Sequence, residues 1–299
     1  MRNFDQFTIT EAVLERIANA PDPRVRDISA ALVRHLHDFI REVRPTQEEW
    51  ARGIAFLTDT GHMCSDTRQE FILLSDTLGV SMLVDAITHD HQREVTESTV
   101  LGPFYVEGPP EVPCGGRISG ALSGQPMFVS GSVSRPDGTP LADAIVDVWH
   151  SDEDGYYDVQ HPGDQPGRHA GLVARARLRT DAAGRFHFWS IKPAAYPIPH
   201  DGPVGRMLEA QGRHPWRPAH VHFMIEAPGF ERLVTHVFAA GDAYLDSDAV
   251  FGVKESLIRD FVEHPAGAAP DGRTVDRDWC HLNYDFRLSP VSETASRAA

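Results

Sequence analysis

The sequence has few cysteines, and those it has are scattered. Only three of its 299 residues are cysteines, Cys64, Cys114 and Cys280, and no C-x-x-C arrangement is present. An odd number of cysteines, far apart, predicts neither a disulfide framework nor a thiolate metal site. We therefore expect these residues to behave as small buried hydrophobic side chains.

Positive charge and long apolar runs are also scarce. The formal net charge is -15, and no block of Lys and Arg is present. Binding to nucleic acid or to an anionic membrane surface requires clustered positive charge, so neither partner is expected. No apolar run approaches the ~20 residues that span a bilayer, and residues 1–6 lack the apolar core of a signal peptide. We expect a cytoplasmic protein with no membrane association.

Residues 1–95 carry the pattern of amphipathic helices. Thr8 to Glu11 and Thr46 to Glu49 have the spacing of a capping box, which marks a helix start. The stripes are too numerous to be buried within one small bundle, so part of this surface should pack on the next region or another subunit. The apolar residues recur at three- and four-residue steps, namely Val25, Ile28, Leu32, Leu36, Phe39, Ile40 and Val43, then Trp50, Ile54 and Leu57, then Phe71, Leu74 and Leu78, then Met82, Leu83 and Ile87.

From residue 96 onward, short alternating runs are separated by Gly, Pro and Asp, a pattern typical of a β-sandwich or barrel. We predict an α+β fold, in which an α-helical region (residues 1–95) precedes an antiparallel β-sandwich (96–290) and a disordered tail (291–299). The turn at Asp181 to Gly184 predicts a hairpin. The predicted strands are Met127–Val133, Ala144–Trp149, Ala174–Arg179, Arg185–Ile191, Ala219–Ile225 and Leu233–Phe238, the last two forming a pair.

Two long loops are predicted to interrupt the sandwich, at residues 151–173 and 193–216. Loops of this length without secondary structure are uncommon in a compact domain and usually carry function. A short helix is predicted near Val253 to Val262.

The strand that contains His220 and His222 is the first candidate for chemistry. Side chains alternate along a strand, so both histidines share a face, with Val221, Phe223 and Ile225 on the other. Their Cα atoms would be about 6.6 Å apart at roughly 3.3 Å per residue, which suits two imidazoles on one metal ion. On this pair alone, a half-buried strand with histidines facing water or ordinary partners is slightly favoured.

Tyrosines follow the strand ends that lead into both long loops. Tyr156 and Tyr157 stand in the first loop, and Tyr196 stands in a proline-flanked turn of the second. A loop tyrosine is usually a surface or packing residue, and for either loop alone that interpretation is favoured. A phenolate ligand needs a strong Lewis acid because the ordinary pKa of tyrosine is about 10. Two phenolates and two imidazoles together would suit Fe(III).

The combination of these segments resembles the intradiol ring-cleaving dioxygenases, which open catechols between their two hydroxyls. The resemblance covers nearly all of the chain and is specific because every segment occurs in order. It rests on Thr99–Tyr105, Val146–His150 leading into Gly155–Tyr157, Gly184–Phe188, Tyr196–Pro197 and Arg217–His222.

The resemblance implies one non-haem Fe(III) per subunit, with Tyr157, Tyr196, His220 and His222 as ligands. Tyr157 is preferred over Tyr156 because the family's ligand stands two residues after the glycine, here Gly155. Tyr196 would act as base for a substrate hydroxyl. Arg217 would stabilise negative charge that develops on the ring as O₂ reacts.

Within the family, the sequence is most similar to the branch that cleaves hydroxyquinol to 3-hydroxy-cis,cis-muconate (maleylacetate). This similarity is seen in Ser151–Gly155, Tyr157–Gln160, Tyr196–Pro199 and Asp248–Val253. Catechol or chlorocatechol is the alternative substrate, because His150 stands where this branch is expected to have Gln. The implied pocket residues are Leu73, Asp76, Val100, Leu101, Gly102, Pro103, Phe104, Ile198, Pro199, Arg217 and Val250.

Two roles remain open for Asp76, and two for His236. Asp76 would accept a hydrogen bond from the third ring hydroxyl, or it would only cap or hydrate a helix turn. His236 takes a position that resembles a glutamine of catechol-cleaving relatives, and it either supports the site or is an ordinary strand histidine. The family also implies a homodimer formed through the N-terminal helices, with a phospholipid between them.

Two rival classes remain. An Fe(II) oxygenase with two histidines and a carboxylate would use either Glu226 or a carboxylate distant in sequence. Glu226 lies about 13 Å along the strand from His222 at roughly 3.3 Å per residue, which is too far for one metal without a sharp bend. A transthyretin-like sandwich that only binds a ligand would need no metal.

Overall fold

The computed structural model describes residues 3–65, 68–90, 94–160 and 171–291. The chain divides into two compact units, residues 1–62 and 63–299. Most of the predicted tail, residues 292–299, and residues 161–170 of the first predicted loop lie outside the described residues.

The first unit contains three helices, α1 (Ile9–Ile17), α2 (Pro23–Val43) and α3 (Gln47–His62). Helix α2 begins at Pro23, because the Asp22 side chain accepts from two backbone N–H groups and Pro23 occupies the first turn. The predicted capping box at Thr46 and Glu49 is present, with reciprocal bonds of 3.2 and 2.7 Å. The one predicted at Thr8 was wrong, because the Thr8 hydroxyl donates to Asp5 instead.

The apolar side of α2 is exposed along its whole length. We call this set the α2 stripe, and its members are 44 to 56% exposed. Exposed apolar surface of this extent on a helix is typical of an interaction surface. The α2 stripe consists of Val25, Ile28, Leu32, Leu36, Phe39, Ile40 and Val43.

The second unit contains the helices α4 (Glu70–Thr77), α5 (Val80–Thr88) and α6 (Pro203–Ala210). Gly79 lies between α4 and α5 with a φ of 73°, a left-handed conformation that favours glycine. Among the described residues no single helix has the length and apolar character needed to cross a bilayer. Helices α4 and α5 meet that criterion only when taken together, and they are bent by 75°.

Two main sheets form the sandwich. The five-stranded sheet has the order β3-β2-β7-β8-β9, and the four-stranded sheet has the order β10-β13-β1-β4. Most pairings are antiparallel, but β1 pairs with β13 and β8 with β9 in parallel. The strands are β1 (Pro126–Ser134), β2 (Ile145–His150), β3 (Arg175–Arg179), β4 (Arg185–Ile191), β5 (Tyr196–Pro197), β6 (Trp216–Arg217), β7 (His220–Glu226), β8 (Leu233–Ala239), β9 (Ile258–Arg259), β10 (Val262–His264), β11 (Gly267–Ala268), β12 (Thr274–Val275) and β13 (Trp279–Arg287).

The inward faces of both sheets share one apolar core. Val221, Phe223 and Ile225 of β7 enter this core from the five-stranded sheet, and Phe186 and Phe286 enter it from the other. The opposite face of β7 is buried as well, so the strand is covered on both sides. The predicted division of β7 into an apolar face and a histidine face is therefore correct.

The predicted hairpin of β3 and β4 was wrong. The turn at Asp181 to Gly184 exists, with the Gly184 N–H donating to the Asp181 carbonyl at 2.9 Å. However, β3 pairs with β2 in one sheet, whereas β4 pairs with β1 in the other. Leu178 and Phe186 on the two strands enter the same core from opposite sheets. The turn is therefore a corner between the two sheets and not a hairpin.

Two further local predictions were wrong. Residues 193–216 are not structureless, since they contain β5, α6 and the start of β6. The segment Val253 to Val262 forms no α-helix, because a 3₁₀ turn at Glu255–Leu257 leads into β9. Strand β9 pairs with β8, so sheet pairing overrides the local helical spacing.

The cysteines are free, as expected, but only one is fully buried. Cys280 lies in the core, Cys64 is half-buried and Cys114 is exposed. The expectation of burial therefore holds for Cys280 and was wrong for Cys114, which lies outside the sandwich core.

Candidate metal centre

His220 and His222 converge on the covered outer face of β7. Each is 1% exposed, and their Nε2 atoms are 3.1 Å apart. The His220 Nδ1–H donates to the Pro218 carbonyl at 2.6 Å, which leaves a lone pair on Nε2. Burial, with a further contribution from Arg217, lowers the pKa of His220 to about 3. Burial also lowers the pKa of His222 well below its ordinary value. Both rings are therefore neutral near pH 7.

Tyr157 completes this cluster. Its hydroxyl lies 3.0 Å from His222 Nε2 and 3.5 Å from His220 Nε2. Its ring stacks on Phe104 with centroids 4.4 Å apart. Burial raises the pKa of Tyr157 well above its ordinary value, so the phenolate needs a nearby cation. The neighbouring Tyr156 is 38% exposed, and the structure thus directs only the second tyrosine of the pair towards the histidines.

The loop that carries Tyr157 is held by polar contacts on both sides of the residue. The Tyr157 N–H donates to the Gln160 side-chain oxygen at 2.6 Å. The next residue, Asp158, forms a buried ion pair with Arg175 of β3. These contacts orient Tyr157 through its own backbone and through the residue that follows it. The sequence motif contained Asp158 and Gln160 but did not indicate these contacts.

Tyr196 reaches the cluster from the second loop. It lies in β5, directly opposite Arg217 in the short β5–β6 pair. Its ring is 5.1 Å from that of Tyr157 and 5.6 Å from that of His220. Arg217 Nη1 donates to the Tyr196 hydroxyl at 3.4 Å. The two residues predicted to act on substrate therefore lie side by side.

Arg217 is fixed by a carboxylate that the sequence analysis gave no role. Asp248 accepts from Arg217 Nε at 3.0 Å and from Nη2 at 3.3 Å, and both side chains are 2% exposed. Burial, the largest influence, would lower the pKa of Arg217, but Asp248, Tyr196 and Tyr157 together outweigh it and the pKa is raised. Burial likewise raises the pKa of Asp248, and Arg217 reverses this so that the net pKa is lowered. The ion pair is thus fully charged near pH 7.

An apolar wall surrounds the two tyrosines. Leu73, Val100, Phe104, Ile198 and Val250 belong to the same buried cluster as Tyr157 and Tyr196. Five of the predicted pocket residues are therefore brought together around the candidate centre.

The other predicted pocket residues differ in their exposure. A Cβ at Gly102 would meet His222 Cε1 at 3.3 Å, so this glycine lies directly beside the imidazole. Leu101 and Pro103 expose their side chains, and Pro199 is half-buried. Asp76 of α4 is 4% exposed, and burial raises its pKa.

Two further side chains support the histidines. Trp149 stacks on His222 with centroids 4.6 Å apart and an interplanar angle of 15°. His236 of β8 lies directly opposite His222 and makes an edge contact at 4.2 Å. Its Nδ1 meets the Thr99 hydroxyl at 2.9 Å. Sequence reasoning named His236 and Trp149 but assigned neither contact, because both depend on cross-strand register.

The donor set fits a metal cation. His220 Nε2, whose lone pair is free, lies 3.1 Å from His222 Nε2 in a buried site, a spacing that suits two imidazoles on one cation. His220, His222 and His236 offer nitrogen atoms within 4.8 Å of one another, and no group found in the described part of the chain adds a carboxylate. Glu226 instead pairs with Arg232 at 2.7 Å. This arrangement argues against the Fe(II) rival, which needs a carboxylate ligand.

A helical region, a two-sheet sandwich and a buried set of imidazoles and phenols define a β-sandwich enzyme with a candidate metal centre. The model of the C-terminal domain, described as "Dioxygenase", matches residues 101–290, and that described as "Catechol dioxygenase N terminus" matches residues 22–96. The chain belongs to the intradiol ring-cleavage dioxygenase family, whose members use non-haem iron and O₂ on aromatic substrates. The resemblance drawn from the sequence motifs is confirmed.

Similar proteins cover almost the whole chain. A hydroxyquinol 1,2-dioxygenase of Nocardioides simplex is 50% identical over 284 residues, which are 95% of each chain. A 6-chlorohydroxyquinol 1,2-dioxygenase of Cupriavidus pinatubonensis is 51% identical over 97% of this chain and 100% of its own. The crystal structure of hydroxyquinol 1,2-dioxygenase from Pseudomonas putida has a TM-score of 0.87 at 44% identity, covering 96% of this chain and 99% of that one. The predicted fold class is also confirmed.

Proposed function

We propose that the chain cleaves hydroxyquinol between its two adjacent hydroxyls to give 3-hydroxy-cis,cis-muconate, a tautomer of maleylacetate. Two relatives with about half of their residues identical act, by name, on hydroxyquinol or its 6-chloro derivative. The observation in this chain that carries the proposal is a buried carboxyl, that of Asp76, beside the apolar wall.

Asp76 has the properties of an acceptor for a third ring hydroxyl. It lies one helical turn after Leu73, which belongs to the cluster that contains both tyrosines. Burial raises its pKa, while Ser81 and Arg217 act in the opposite direction, so the carboxyl lies within electrostatic reach of Arg217. Ser81 already forms a hydrogen bond with the Asp76 carboxyl. A further buried acceptor site of this carboxyl left unfilled would cost about 1–3 kcal/mol, which disfavours a ring that lacks the third hydroxyl.

Tyr157, Tyr196, His220 and His222 are the proposed ligands of one Fe(III) per subunit. The neutral imidazoles and the converging Tyr157 hydroxyl support this assignment. When bound, Fe(III) supplies Lewis-acid chemistry and a template for the two adjacent hydroxyls. The raised pKa of Tyr157 without a cation agrees with the need for so strong a Lewis acid.

Arg217 and Tyr196 are the proposed catalytic residues. Arg217 is permanently charged and buried, so its guanidinium stabilises negative charge that develops on the ring. Tyr196 lies 3.4 Å from this guanidinium, a position from which its oxygen can take the proton of a substrate hydroxyl. Both side chains are 2% exposed, so water has little access to them. The proposed substrate-binding residues are Leu73, Asp76, Val100, Leu101, Gly102, Pro103, Phe104, Ile198, Pro199, Arg217 and Val250.

Oxygen uptake with hydroxyquinol, catechol and a chlorocatechol, measured in parallel on iron-loaded protein, tests the substrate. Hydroxyquinol should have the highest kcat/KM, and Asp76→Ala should lower the hydroxyquinol-to-catechol ratio on the order of 10²-fold. Asp85→Ala, on the adjacent helix α5, is the control and should keep the ratio. Faster turnover of catechol than hydroxyquinol by the wild type would refute the substrate assignment and leave the ring-cleavage class intact.

Catechol or a chlorocatechol is the second candidate substrate. The observation that favours it is His150, which replaces the glutamine expected for the hydroxyquinol branch. His150 is buried at the end of β2 and contacts Ser190 rather than the apolar wall. This placement makes it a weaker indicator of substrate than Asp76.

The partner assignments are also proposals. The helical region, residues 1–95, would form a homodimer interface with a phospholipid between the subunits, and the sandwich would extend over residues 96–290. The exposure of the α2 stripe supports an apolar contact of this kind. A cytoplasmic location agrees with catabolism of a small aromatic substrate. Sedimentation velocity and lipid extraction from purified protein test the dimer and the phospholipid.

A further inference from the structure

The two loops that carry the tyrosines are tied together at one place. The Ser151 hydroxyl donates to the Ala194 carbonyl at 3.0 Å, and the Ala194 N–H donates to the Asp152 carbonyl at 3.2 Å. Ala194 stands two residues before Tyr196. A movement of Ser151 is therefore transmitted directly to the segment that positions Tyr196.

The same segment is also fixed relative to Tyr157. Asp152 Oδ1 accepts from the N–H groups of Asp154 and Tyr156 at 2.9 and 2.8 Å. The Asp152 N–H donates back to the Tyr156 carbonyl at 2.8 Å. Residues 151–156 thus form a closed turn that ends one residue before Tyr157.

Gly155 lets this turn approach the second loop closely. Its φ is 88°, and a Cβ at this position would lie 2.8 Å from Tyr196 Cβ and 2.9 Å from the Ala195 carbonyl oxygen. Only glycine therefore permits both the conformation and the approach. The spacing of the two tyrosines depends on backbone contact between the loops, not on the phenol rings alone.

His150 anchors this arrangement to the sandwich. Its Nδ1 lies 2.7 Å from the Ser151 carbonyl, and its Nε2 lies 2.7 Å from the Ser190 hydroxyl. A carbonyl can only accept, so Nδ1 carries the proton and the Ser190 hydroxyl donates to Nε2. Strand β2, which ends at His150, and strand β4, which carries Ser190, belong to different sheets. The imidazole therefore fixes the Ser151 backbone to both sheets.

We propose that His150 and Ser151 are positioning residues that, with Ser190, set the placement of Tyr196 relative to Tyr157. We call these three residues the His150 clasp. All three are 1 to 2% exposed, and their side chains make hydrogen bonds of 2.7 to 3.0 Å. The inference rests on the proposed function, because it assigns the clasp a role in presenting the two phenol oxygens to one iron.

The chain contains matched controls for a merely structural role. His281 Nε2 lies 2.8 Å from the Ser130 hydroxyl, which repeats the histidine–serine pair within the four-stranded sheet. The Ser134 hydroxyl donates to the Phe286 carbonyl at 3.4 Å, which repeats the Ser151 bond. Neither pair belongs to a loop that carries a candidate ligand.

The test compares Ser151→Ala and His150→Leu with Ser134→Ala and His281→Leu. In iron-loaded protein, the first two should shift the visible absorption band of iron-bound tyrosinate and lower kcat/KM for hydroxyquinol by about 10- to 100-fold. His150→Gln should restore both values towards wild type, because an amide offers one donor and one acceptor. The controls should keep the wild-type band. If Ser151→Ala and His150→Leu also keep it and lose only thermal stability, the positioning role is refuted.

A second measurement separates this inference from the proposed function. In metal-free protein, His150→Leu and Ser151→Ala should lower the unfolding temperature non-additively, because one residue acts through the other. If the two losses of unfolding temperature add in the double variant, His150 and Ser151 do not act through each other, whether or not the chain binds iron. A colourless iron-loaded wild type would refute the function, whereas a coloured wild type with unshifted clasp variants would refute only the clasp. Ser151→Ala removes only one hydroxyl, so this variant alone can be used for the test if His150→Leu does not fold.

Discussion

Helix α2 exposes an apolar face, whereas strand β7 buries a polar one. The α2 stripe leaves apolar side chains 44 to 56% exposed, whereas β7 buries the polar side chains of His220 and His222 to 1% exposure. Both elements have clean periodicity in the sequence. Periodicity therefore tells which residues share a face. Whether that face is buried depends on segments elsewhere in the chain that pack against it.

Most of the polar groups that lie against the histidine face of β7 are paired, whereas His222 Nδ1 and His236 Nε2 have no hydrogen-bond partner among the described residues. Tyr157, Tyr196 and Arg217 all lie against the histidine face, and Asp248 neutralises the guanidinium. Burying these groups costs free energy unless each is paired, so the arrangement is expected only where function requires it.

The largest effect is expected from His222→Ala. Loss of one imidazole should abolish the visible absorption band and lower activity by at least about 10³-fold, because metal catalysis supplies several kcal/mol and each 1.36 kcal/mol is tenfold. Iron content and absorbance per subunit measure this. His214→Ala is the control, since this half-buried histidine contacts Ser247 outside the cluster. Full iron content and colour in His222→Ala would contradict the ligand assignment.

The sequence was sufficient to predict which residues share the candidate site, but not how they are oriented. His220 and His222 follow from strand alternation, and the start of α3 follows from the capping box at Thr46 and Glu49. In contrast, the Arg217–Asp248 pair joins residues 31 positions apart, and the Thr99–His236 contact joins residues 137 apart. No local pattern encodes such contacts, because they arise only when loops fold over the sheet.

The same limit explains the corner between β3 and β4. An alternating run, a four-residue turn and a second alternating run describe a hairpin and a sheet-to-sheet corner equally well. In the structure the two strands pair with β2 and β1 and not with each other. Partner choice is a tertiary property, whereas the turn itself, with Gly184 at a φ of 72°, was readable from sequence.

The second prediction concerns the buried charge on this polar face. Asp248→Ala should lower the free energy of unfolding by about 3–5 kcal/mol, because it leaves the Arg217 guanidinium buried without its partner. Asp248→Asn should cost less, since an amide oxygen still accepts from Arg217. Chemical denaturation of metal-free protein measures both. Wild-type stability in Asp248→Ala would mean that another carboxylate, such as Asp76, neutralises the arginine.

The third prediction is a pH dependence. Burial lowers the pKa of His150 to about 4, below the 6.5 expected in the unfolded chain. Between these values the unfolded state binds more protons, so the folded state loses stability as the pH falls. At pH 4 the loss from this residue is about 3 kcal/mol relative to pH 7.

His150→Gln isolates that contribution, because the other buried groups are unchanged. The difference in unfolding free energy between metal-free wild type and His150→Gln should therefore change by about 3 kcal/mol from pH 7 to pH 4, in favour of the variant at low pH. Asp152 and Asp158 raise the pKa of His150 slightly and Arg175 lowers it, so all three should be kept. A difference independent of pH would show that the imidazole is protonated, or exposed, in the folded state.

The smallest effect on unfolding is expected on the apolar side of the comparison. Leu32→Ser with Leu36→Ser should change the unfolding free energy of the isolated subunit by no more than about 0.5 kcal/mol per site, because both side chains are already more than half exposed. The same changes should weaken subunit association, measured by sedimentation velocity. Leu178→Ser, in the core, is the contrasting control and should cost several-fold more stability. If the α2 variants instead unfold as readily as Leu178→Ser without any change in association, the α2 stripe is covered within the subunit and the contrast with β7 disappears.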